Sequence, residues 1–298
     1  MTRHLLDLDD LSPAELSIVL DLSQKPEPPR ALQGLGAALL FEKPSARTRH
    51  STEMAVVQLG GHPITMRGDE VGLDVRESVE DVTRTLCCYH AAICARVFEH
   101  SKVERMAAVS TVPVVNMLSD RSHPLQGLAD LLTLQQRFGS LQGLRLAWVG
   151  DFSNVARSLS IGAAMSGASL VWAGPEGYGP SDADVARVLA LGGELDEATT
   201  ATDAVIGADC VVTDAWYSMG QEGERDQRRA AFRPYRVDGA LMAQAKPTAV
   251  FLHCLPAHRG EEVTDDVVDG QQSLVWAEAE NRMHTARGAL LFLLGERP

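Results

Sequence analysis

The sequence predicts an α/β fold with two doubly wound domains, each built on a parallel sheet, joined by interdomain helices. Its 298 residues are too many for one small core and suit two domains of about 130–150 residues each. Short apolar runs alternate with helical patterns in both halves of the chain, which is typical of βαβ units. Between the halves, Pro124–Phe138 has the leucine spacing of one amphipathic helix.

The bridging helix sets the predicted domain boundaries. We place the first domain at residues 1–130 and the second at residues 131–281. Residues 282–298 form a predicted C-terminal helix that packs back on the first domain.

The elements of the first half follow from local signals. Ser12-Pro13-Ala14-Glu15 combines a capping box with proline at the first helical position, so a helix begins there. Further strands and helices then alternate. The predicted strands lie near residues 37–42, 62–67, 91–97 and 112–118, and the predicted helices near residues 47–59, 77–89 and 101–109.

The second half repeats this alternation and ends in an apolar-faced helix at residues 281–294. Its predicted strands lie near residues 144–149, 169–173, 209–213 and 249–255, with a further possible strand at residues 274–277. Ligands of open parallel sheets bind beyond the carboxyl ends of the strands. The polar motifs of this chain follow such ends, so we predict that they form one site.

Charge and composition exclude several classes of function. The formal charge of −13 argues against nucleic-acid binding, which needs a broad basic face. An anionic ligand would therefore need a local cluster of arginines. The sequence contains no run of about 18 apolar residues and no signal-peptide pattern, so we expect neither a membrane span nor secretion.

The cysteines indicate a reduced, cytoplasmic setting. There are five, with no regular spacing and no Cys-x-x-Cys pair, which disfavours a disulfide framework and a structural zinc site. If the last strand continues through Cys254, His253 and Cys254 point to opposite faces, which also argues against a metal site. We predict no metal.

The segment Phe41–Arg49 is the strongest candidate for an anion site. An apolar strand gives way to Pro44, and Ser45, Arg47 and Thr48 then open a helix. Free backbone N–H groups and the helix dipole favour an anion at such a point, and arginine offers a bidentate fork for phosphate oxygens. A capped helix with exposed arginines fits this segment equally well.

Other polar residues also lie at strand ends or helix starts. Arg96 closes an apolar strand, and His123 and Gln126 share a face in the first turn of a helix. Taken singly, a solvated strand end and a structural histidine are the more common interpretations. Arg282 opens the last helix, where a cation is unfavourable beside the dipole and an anionic partner would help.

Three motifs of the second half follow predicted strands. Gly150–Asn154 lacks the glycine fingerprint of a dinucleotide site, and Asn154 could equally be a helix N-cap. Asp214 could hold an ammonium group. Pro256 predicts an extended backbone at Leu255 that leaves carbonyl groups available.

Taken in order, these motifs resemble the aspartate/ornithine transcarbamoylase family, over Leu39 to Arg282. The family's phosphate signature Ser-Thr-Arg-Thr-Arg stands here at residues 45–49 with Ala46 in second place, and its His-Pro-x-Gln stands at residues 123–126. The ornithine branch has Asp-x-Trp-x-Ser-Met-Gly and His-Cys-Leu-Pro, which stand at residues 214–220 and 253–256.

The resemblance implies transfer of the carbamoyl group from carbamoyl phosphate to the δ-amine of L-ornithine, giving citrulline. It also implies no cofactor, a role in arginine biosynthesis, and a cytoplasmic homotrimer with sites near subunit borders. The first domain would bind carbamoyl phosphate and the second ornithine.

The implied site residues fall into three overlapping groups. Those for carbamoyl phosphate are Ser45, Ala46, Arg47, Thr48, Glu70, Arg96, His123, Gln126, Cys254, Leu255 and Arg282. Those for ornithine are Asn154, Asp214, Ser218 and Met219. The implied catalytic residues are Arg96, His123, Asp214 and Cys254.

Three departures from the family pattern keep two alternatives open. Ala46 deletes a hydroxyl donor, Ser153 replaces an asparagine, and Glu70 places a carboxylate where many ornithine enzymes have glutamine. Glu70 raises the alternative of another amine substrate, such as putrescine, lysine or an N-acylated ornithine. Ala46 and Ser153 raise that of a catalytically silent member acting as a binding or regulatory subunit.

Overall fold

The structure is a computed structural model that describes residues 2–217 and 222–298. The chain divides into two compact units, and the boundaries between them fall inside two helices. The first unit comprises Met1–Leu132 and Glu280–Pro298, and the second comprises Thr133–Ala279.

The first unit contains a four-stranded parallel sheet of strand order β2-β1-β3-β4. Its strands are β1 (Gly36–Phe41), β2 (His62–Arg67), β3 (Ala92–Arg96) and β4 (Val114–Leu118). Its helices are α1 (Pro13–Ser23), α2 (Ala46–Gln58), α3 (Gly68–Val71), α4 (Val79–Tyr89) and α5 (His100–Val109), and α6 (Pro124–Phe138) crosses into the second unit. The capping box predicted at Ser12 is confirmed.

The register of this sheet aligns the ends of three strands. Phe41, the last residue of β1, lies beside Arg67 of β2 on one side and Arg96 of β3 on the other. Because the strands are parallel, the segments that follow them leave from the same edge. β1 and β3 are buried throughout their apolar residues, as expected for strands covered on both faces.

The second unit contains a five-stranded parallel sheet of order β7-β6-β5-β8-β9. Its strands are β5 (Arg145–Val149), β6 (Ser169–Ala173), β7 (Leu195–Glu197), β8 (Cys210–Thr213) and β9 (Val250–His253). Its helices are α7 (Asn154–Met165), α8 (Asp182–Ala190), α9 (Ala201–Val205), α10 (Arg225–Phe232), α11 (Gly239–Met242) and α12 (Asp265–Val268), and α13 (Val275–Leu293) ends in the first unit.

The strand order places the second unit's motifs at a topological switch point. The chain leaves β5 toward β6 on one side and later returns through β8 and β9 on the other. Crevices at such reversals are where doubly wound sheets bind ligands. The segments after β5, β8 and β9, which carry Asn154, Asp214 and Cys254, leave from neighbouring strands.

The predicted fold class is confirmed, and three details differ. The possible strand at residues 274–277 is wrong, because α13 begins at Val275. For the same reason Arg282 does not open the last helix, as the predicted range 281–294 implied, but lies two turns inside it. A short apolar run of this kind does not distinguish a strand from a buried helix start. The sequence analysis missed β7, whose three residues are partly or fully exposed and show no apolar run. In the described part of the chain, none of the helices combines the length and the apolar character needed to cross a membrane.

Candidate active site

The start of α2 is built as the sequence predicted. Ser45 is the N-cap, and its hydroxyl accepts the backbone N–H of Thr48 at 3.3 Å. The Thr48 hydroxyl in turn accepts a hydrogen bond from Nη1 of Arg96 at 3.3 Å. Arg47 is exposed, whereas Arg49 pairs with Glu53 on its own helix. The capped helix and the anion site are therefore compatible descriptions of one segment.

Positive charge is concentrated in the interior of the first unit. Arg96, His123 and Arg282 are only 8%, 6% and 6% exposed. Burial lowers the pKa of His123 well below its usual value, and the cations of Arg282 and Arg96 lower it further. His123 is therefore a neutral imidazole among buried guanidinium groups. An anion bound beside them would be stabilised despite the net charge of −13.

The loop that presents His123 is held by a residue that the sequence analysis missed. Asn116 of β4 is fully buried, and its amide donates to the hydroxyl of Ser122 at 2.9 Å and to the carbonyl of Leu6 at 3.0 Å. The ring of His100 lies 2.8 Å from the hydroxyl of Ser119. This network fixes the turn between β4 and α6, and a polar residue inside an apolar strand was its only sequence signal.

Gln126 and Glu70 make local contacts of their own. Nε2 of Gln126 donates to Oδ1 of Asp130 at 2.7 Å, one turn further along α6. The Glu70 carboxylate is exposed and accepts the backbone N–H of Arg67 at 3.0 Å, which caps α3. Arg76 donates to the Glu70 backbone carbonyl rather than to the carboxylate. The predicted contacts of both residues with a substrate stay predictions.

Asp214 is the centre of the second unit's polar cluster. Its Oδ1 accepts hydrogen bonds from the Cys254 thiol at 3.1 Å and from the Ala215 backbone N–H at 2.7 Å. Its Oδ2 accepts one from the Ser153 hydroxyl at 3.2 Å. The ends of β5, β8 and β9 therefore meet at one carboxylate.

Ser153 has two functions that the sequence analysis did not assign. It is the N-cap of α7, so the alternative interpretation of Asn154 as the cap is wrong, and Asn154 is the first helical residue. The Ser153 hydroxyl accepts the Val155 N–H while it donates to Asp214. Replacement of the family's asparagine by serine therefore retains a polar contact at this position.

Arg228 of α10 anchors the segment that follows β8. Arg228 is only 6% exposed, and its guanidinium donates from Nη1 to Asp151 at 2.8 Å and to the Trp216 carbonyl at 2.9 Å. Burial raises the pKa of Asp151, the nearby charge of Asp214 raises it further, and Arg228 opposes both effects. The predicted ligands Ser218 and Met219 lie outside the described residues.

The end of β9 departs from two expectations. The strand stops at His253, so Cys254 does not alternate with it, and ligand atoms of Asp214, His253 and Cys254 lie within 4.8 Å of one another. Both ring nitrogens of His253 have protein partners, at Leu255 and Glu262. A metal ion would have to displace one of them. The predicted extended backbone at Leu255 is wrong, because its φ is +58°.

The fold and the site together define an α/β protein with a buried cationic cluster in one unit and a carboxylate–thiol pair in the other. Residues 3–136 match the family described as aspartate/ornithine carbamoyltransferase, carbamoyl-P binding domain, and residues 142–294 match its Asp/Orn binding domain. The chain belongs to the aspartate/ornithine carbamoyltransferase family, as the motifs predicted.

Individual relatives are similar over the full chain. Ornithine carbamoyltransferase of Acidothermus cellulolyticus is 48% identical, over 99% of this chain and 97% of that protein. The solved structure of ornithine carbamoyltransferase from Pyrococcus furiosus is 42% identical, with a TM-score of 0.94 over 100% of this chain and 98% of that one. A solved N-acetyl-L-ornithine transcarbamylase mutant is 29% identical, with a TM-score of 0.88 over 97% and 99%.

The lowered pKa of His123 predicts a pH-dependent stability. The folded chain keeps this ring neutral, whereas the unfolded chain protonates it below about pH 6.5. The free energy of unfolding therefore decreases as the pH is lowered below that value, and this group contributes up to about 1.4 kcal/mol per pH unit to the decrease. His123→Asn abolishes the contribution. The difference in urea midpoint between wild type and variant should narrow from pH 7.5 to 5, and a constant or widening difference would contradict the assignment.

Proposed function

We propose that this chain transfers the carbamoyl group of carbamoyl phosphate to the δ-amine of L-ornithine, giving L-citrulline and phosphate in arginine biosynthesis. The observation that carries the proposal is the 3.1 Å hydrogen bond between Cys254 and Asp214. It joins the two motifs of the ornithine branch, which are forty residues apart in the sequence. An anionic oxygen beside a weakly polar thiol suits one end of an amine substrate.

The first unit supplies what carbamoyl phosphate requires. The α2 N-terminus, with Ser45, the Ala46 backbone, Arg47 and Thr48, holds the phosphate. Preorganised hydrogen-bond donors stabilise the negative charge that develops in a transition state. Removal of one such donor typically costs about 2.7–4 kcal/mol of that stabilisation. Arg96 and the neutral ring of His123 are such donors for the carbamoyl oxygen, and Gln126 and Arg282 complete this part of the site.

The second unit supplies what the amine requires. Asp214 and Cys254 orient the δ-nitrogen, and Asn154, Ser218 and Met219 hold the amino-acid end of ornithine. The δ-ammonium group loses one proton to solvent, its nitrogen attacks the carbamoyl carbon, and the bond from that carbon to the phosphate oxygen breaks as a second proton passes from the nitrogen to the phosphate. The phosphate leaves with the electron pair, and the Leu255 carbonyl accepts from the carbamoyl NH₂ group. Ordering two substrates contributes through proximity.

The local contacts weaken both alternatives. Glu70 caps its own helix, so its carboxylate needs no substrate amine to explain it. Ser153 donates to Asp214, so its replacement of asparagine leaves the cluster connected. The sequence identity to the ornithine carbamoyltransferase of Pyrococcus furiosus, 42%, also exceeds the 29% identity to the N-acetyl-L-ornithine enzyme.

Amine specificity is tested with purified protein by the rate of phosphate release from carbamoyl phosphate, together with identification of the carbamoylated product that each amine gives. We expect kcat/KM for L-ornithine to exceed that for putrescine, lysine and N-acetyl-L-ornithine by at least about 100-fold, because a site built on polar contacts discriminates strongly. Faster carbamoylation of another amine would contradict the proposed substrate. Calorimetric binding of carbamoyl phosphate without any turnover would indicate the silent, regulatory member instead.

Because Ala46 lacks the hydroxyl of the family's threonine, we expect weaker binding of the phosphate group, and restoring that hydroxyl should strengthen it. Ala46 is the first residue of α2 and is exposed. A hydrogen bond to a charged group is worth about 1.5–3 kcal/mol, so Ala46→Thr should lower the KM for carbamoyl phosphate by roughly 10- to 150-fold. Ala46→Val is the matched control, since it has the same shape without the hydroxyl, and an equal gain there would contradict the reasoning.

A homotrimer with sites near subunit borders and a cytoplasmic location complete the proposal. Exposed apolar side chains support an interface between copies on α2 and the neighbouring edge strand β2. Met54 and Val57 share one face of α2 and are 46% and 48% exposed, and Ile64 of β2 is 42% exposed.

Light scattering tests this interface. Wild type should have three times the chain mass of 32.1 kDa. Val57→Glu should shift the protein toward the monomer, because a buried, unpaired charge is costly at an interface. Leu189→Glu on α8 is the control. Leu189 is similarly exposed, at 59%, but belongs to the second unit, whereas α2 and β2 belong to the first. A monomeric wild type, or a trimeric Val57→Glu, would contradict the assignment.

A further inference from the structure

His253, the last residue of β9, has its ring fixed at both nitrogens. It is fully buried, and its Nδ1 accepts the backbone N–H of Leu255 at 2.9 Å. A backbone N–H can only donate, so Nδ1 must be unprotonated. The ring is therefore neutral with its proton on Nε2, which lies 3.2 Å from Oε1 of Glu262.

Glu262 is placed to select that tautomer. Its side chain is completely buried, and the oxygen that faces His253 also accepts the backbone N–H of His258. The backbone N–H of His253 itself donates to the buried carboxylate of Glu278 at 2.9 Å. A continuous series of hydrogen bonds therefore runs from Glu262 through the imidazole to the Leu255 N–H.

The far end of this series is a backbone under strain. Leu255 has a φ of +58°, the left-handed region that costs a residue with a side chain about 1–2 kcal/mol. Its N–H belongs to the peptide group that joins it to Cys254. A hydrogen bond to that N–H fixes the peptide plane, and with it the direction in which Cys254 leaves the backbone toward Asp214.

We propose that His253 and Glu262 are positioning residues for the transfer reaction. Glu262 holds the proton of His253 on Nε2, and Nδ1 then holds the Cys254–Leu255 peptide so that the thiol stays on Asp214 and Leu255 stays left-handed. Neither residue touches substrate. The kinetic consequences rest on the proposed function, whereas the backbone consequence does not.

Two substitutions at His253 separate its two hydrogen bonds. The oxygen of asparagine can occupy the place of Nδ1, so His253→Asn keeps the acceptor for Leu255 and loses the contact with Glu262. Glutamine reaches the place of Nε2, so His253→Gln keeps the contact with Glu262 and loses the acceptor. In His253→Asn the buried carboxylate of Glu262 loses the imidazole donor and keeps only its contacts with His258, which is destabilising for a buried charge, so this variant should have the lower melting temperature.

The kinetic test is therefore an inversion between activity and stability. We expect His253→Gln to lower kcat by about 10- to 100-fold, because the buried Leu255 N–H loses its acceptor and the peptide that orients the Cys254 thiol is no longer held, while the KM for ornithine changes less than about threefold. His253→Asn, although less stable, should lose only about two- to fivefold in kcat. A merely structural histidine predicts that His253→Gln is at least as active as His253→Asn, and that result would overturn the proposal.

Glu262→Gln is the conservative rescue. Its amide oxygen can still accept from His253 and His258, and its NH₂ group would lie near Nδ1 of His258, which is 3.5 Å from the Glu262 carboxylate. We expect kcat within about threefold of wild type, since both hydrogen bonds are kept without the charge. A loss as large as in His253→Gln would show that charge rather than positioning matters, and would overturn the assignment.

Amide hydrogen exchange tests the backbone directly and needs no turnover. Pro256 has no N–H, so a short peptide around it reports on Cys254 and Leu255. The Leu255 amide should exchange slowly in wild type and His253→Asn and at least about tenfold faster in His253→Gln. Equal protection in all three proteins would overturn the proposal even in an active enzyme. If wild type makes no citrulline, the proposed function fails, and this exchange pattern alone decides the positioning.

Discussion

The first unit depends on one constraint, the parallel register that sets Phe41 of β1 beside Arg96 of β3. It brings a buried guanidinium against the first turn of the helix that follows β1, where Arg96 donates to Thr48. Burying a cation is costly without compensation, and the fold keeps three cationic or basic groups, Arg96, His123 and Arg282, almost inaccessible to solvent. This environment lowers the pKa of His123, so that the ring is neutral while the arginines remain charged. The result is a region prepared for an anion in an acidic protein.

The second unit solves the opposite problem, since it keeps a carboxylate where an amine is expected. Asp214 receives donors from Cys254, Ser153 and Ala215, so its oxygens are oriented before any ligand arrives. Arg228 supports this arrangement from outside, because it donates to Asp151, which follows β5, and to the Trp216 carbonyl, which follows Asp214. Preorganisation of this kind lowers the ordering cost of binding. Residues that never meet a substrate can therefore influence its turnover.

Much of the fold followed from local patterns. Apolar runs, or alternating apolar residues in the case of β2, identified eight of the nine strands that the described residues contain, and capping chemistry located helix starts, because these signals depend on neighbours in sequence. These local signals misidentified the structure in two short segments. β7 is too short and exposed to show a period, and Leu274–Ala277 is as apolar as a strand although α13 begins within it.

By itself, the sequence determined the fold class, the family and the motifs, since motif order and spacing are properties of the chain. Only the tertiary structure decided how those residues are used. It made Ser153 a cap and a donor to Asp214, made Glu70 a helix cap, and gave Leu255 a left-handed backbone whose N–H donates to the ring of His253. Asn116 and Glu262 gained their importance in the same way. Hydrogen bonds between residues far apart in the sequence, such as that from Ser153 to Asp214, are set by distances in the folded chain, and no spacing in the sequence encodes them.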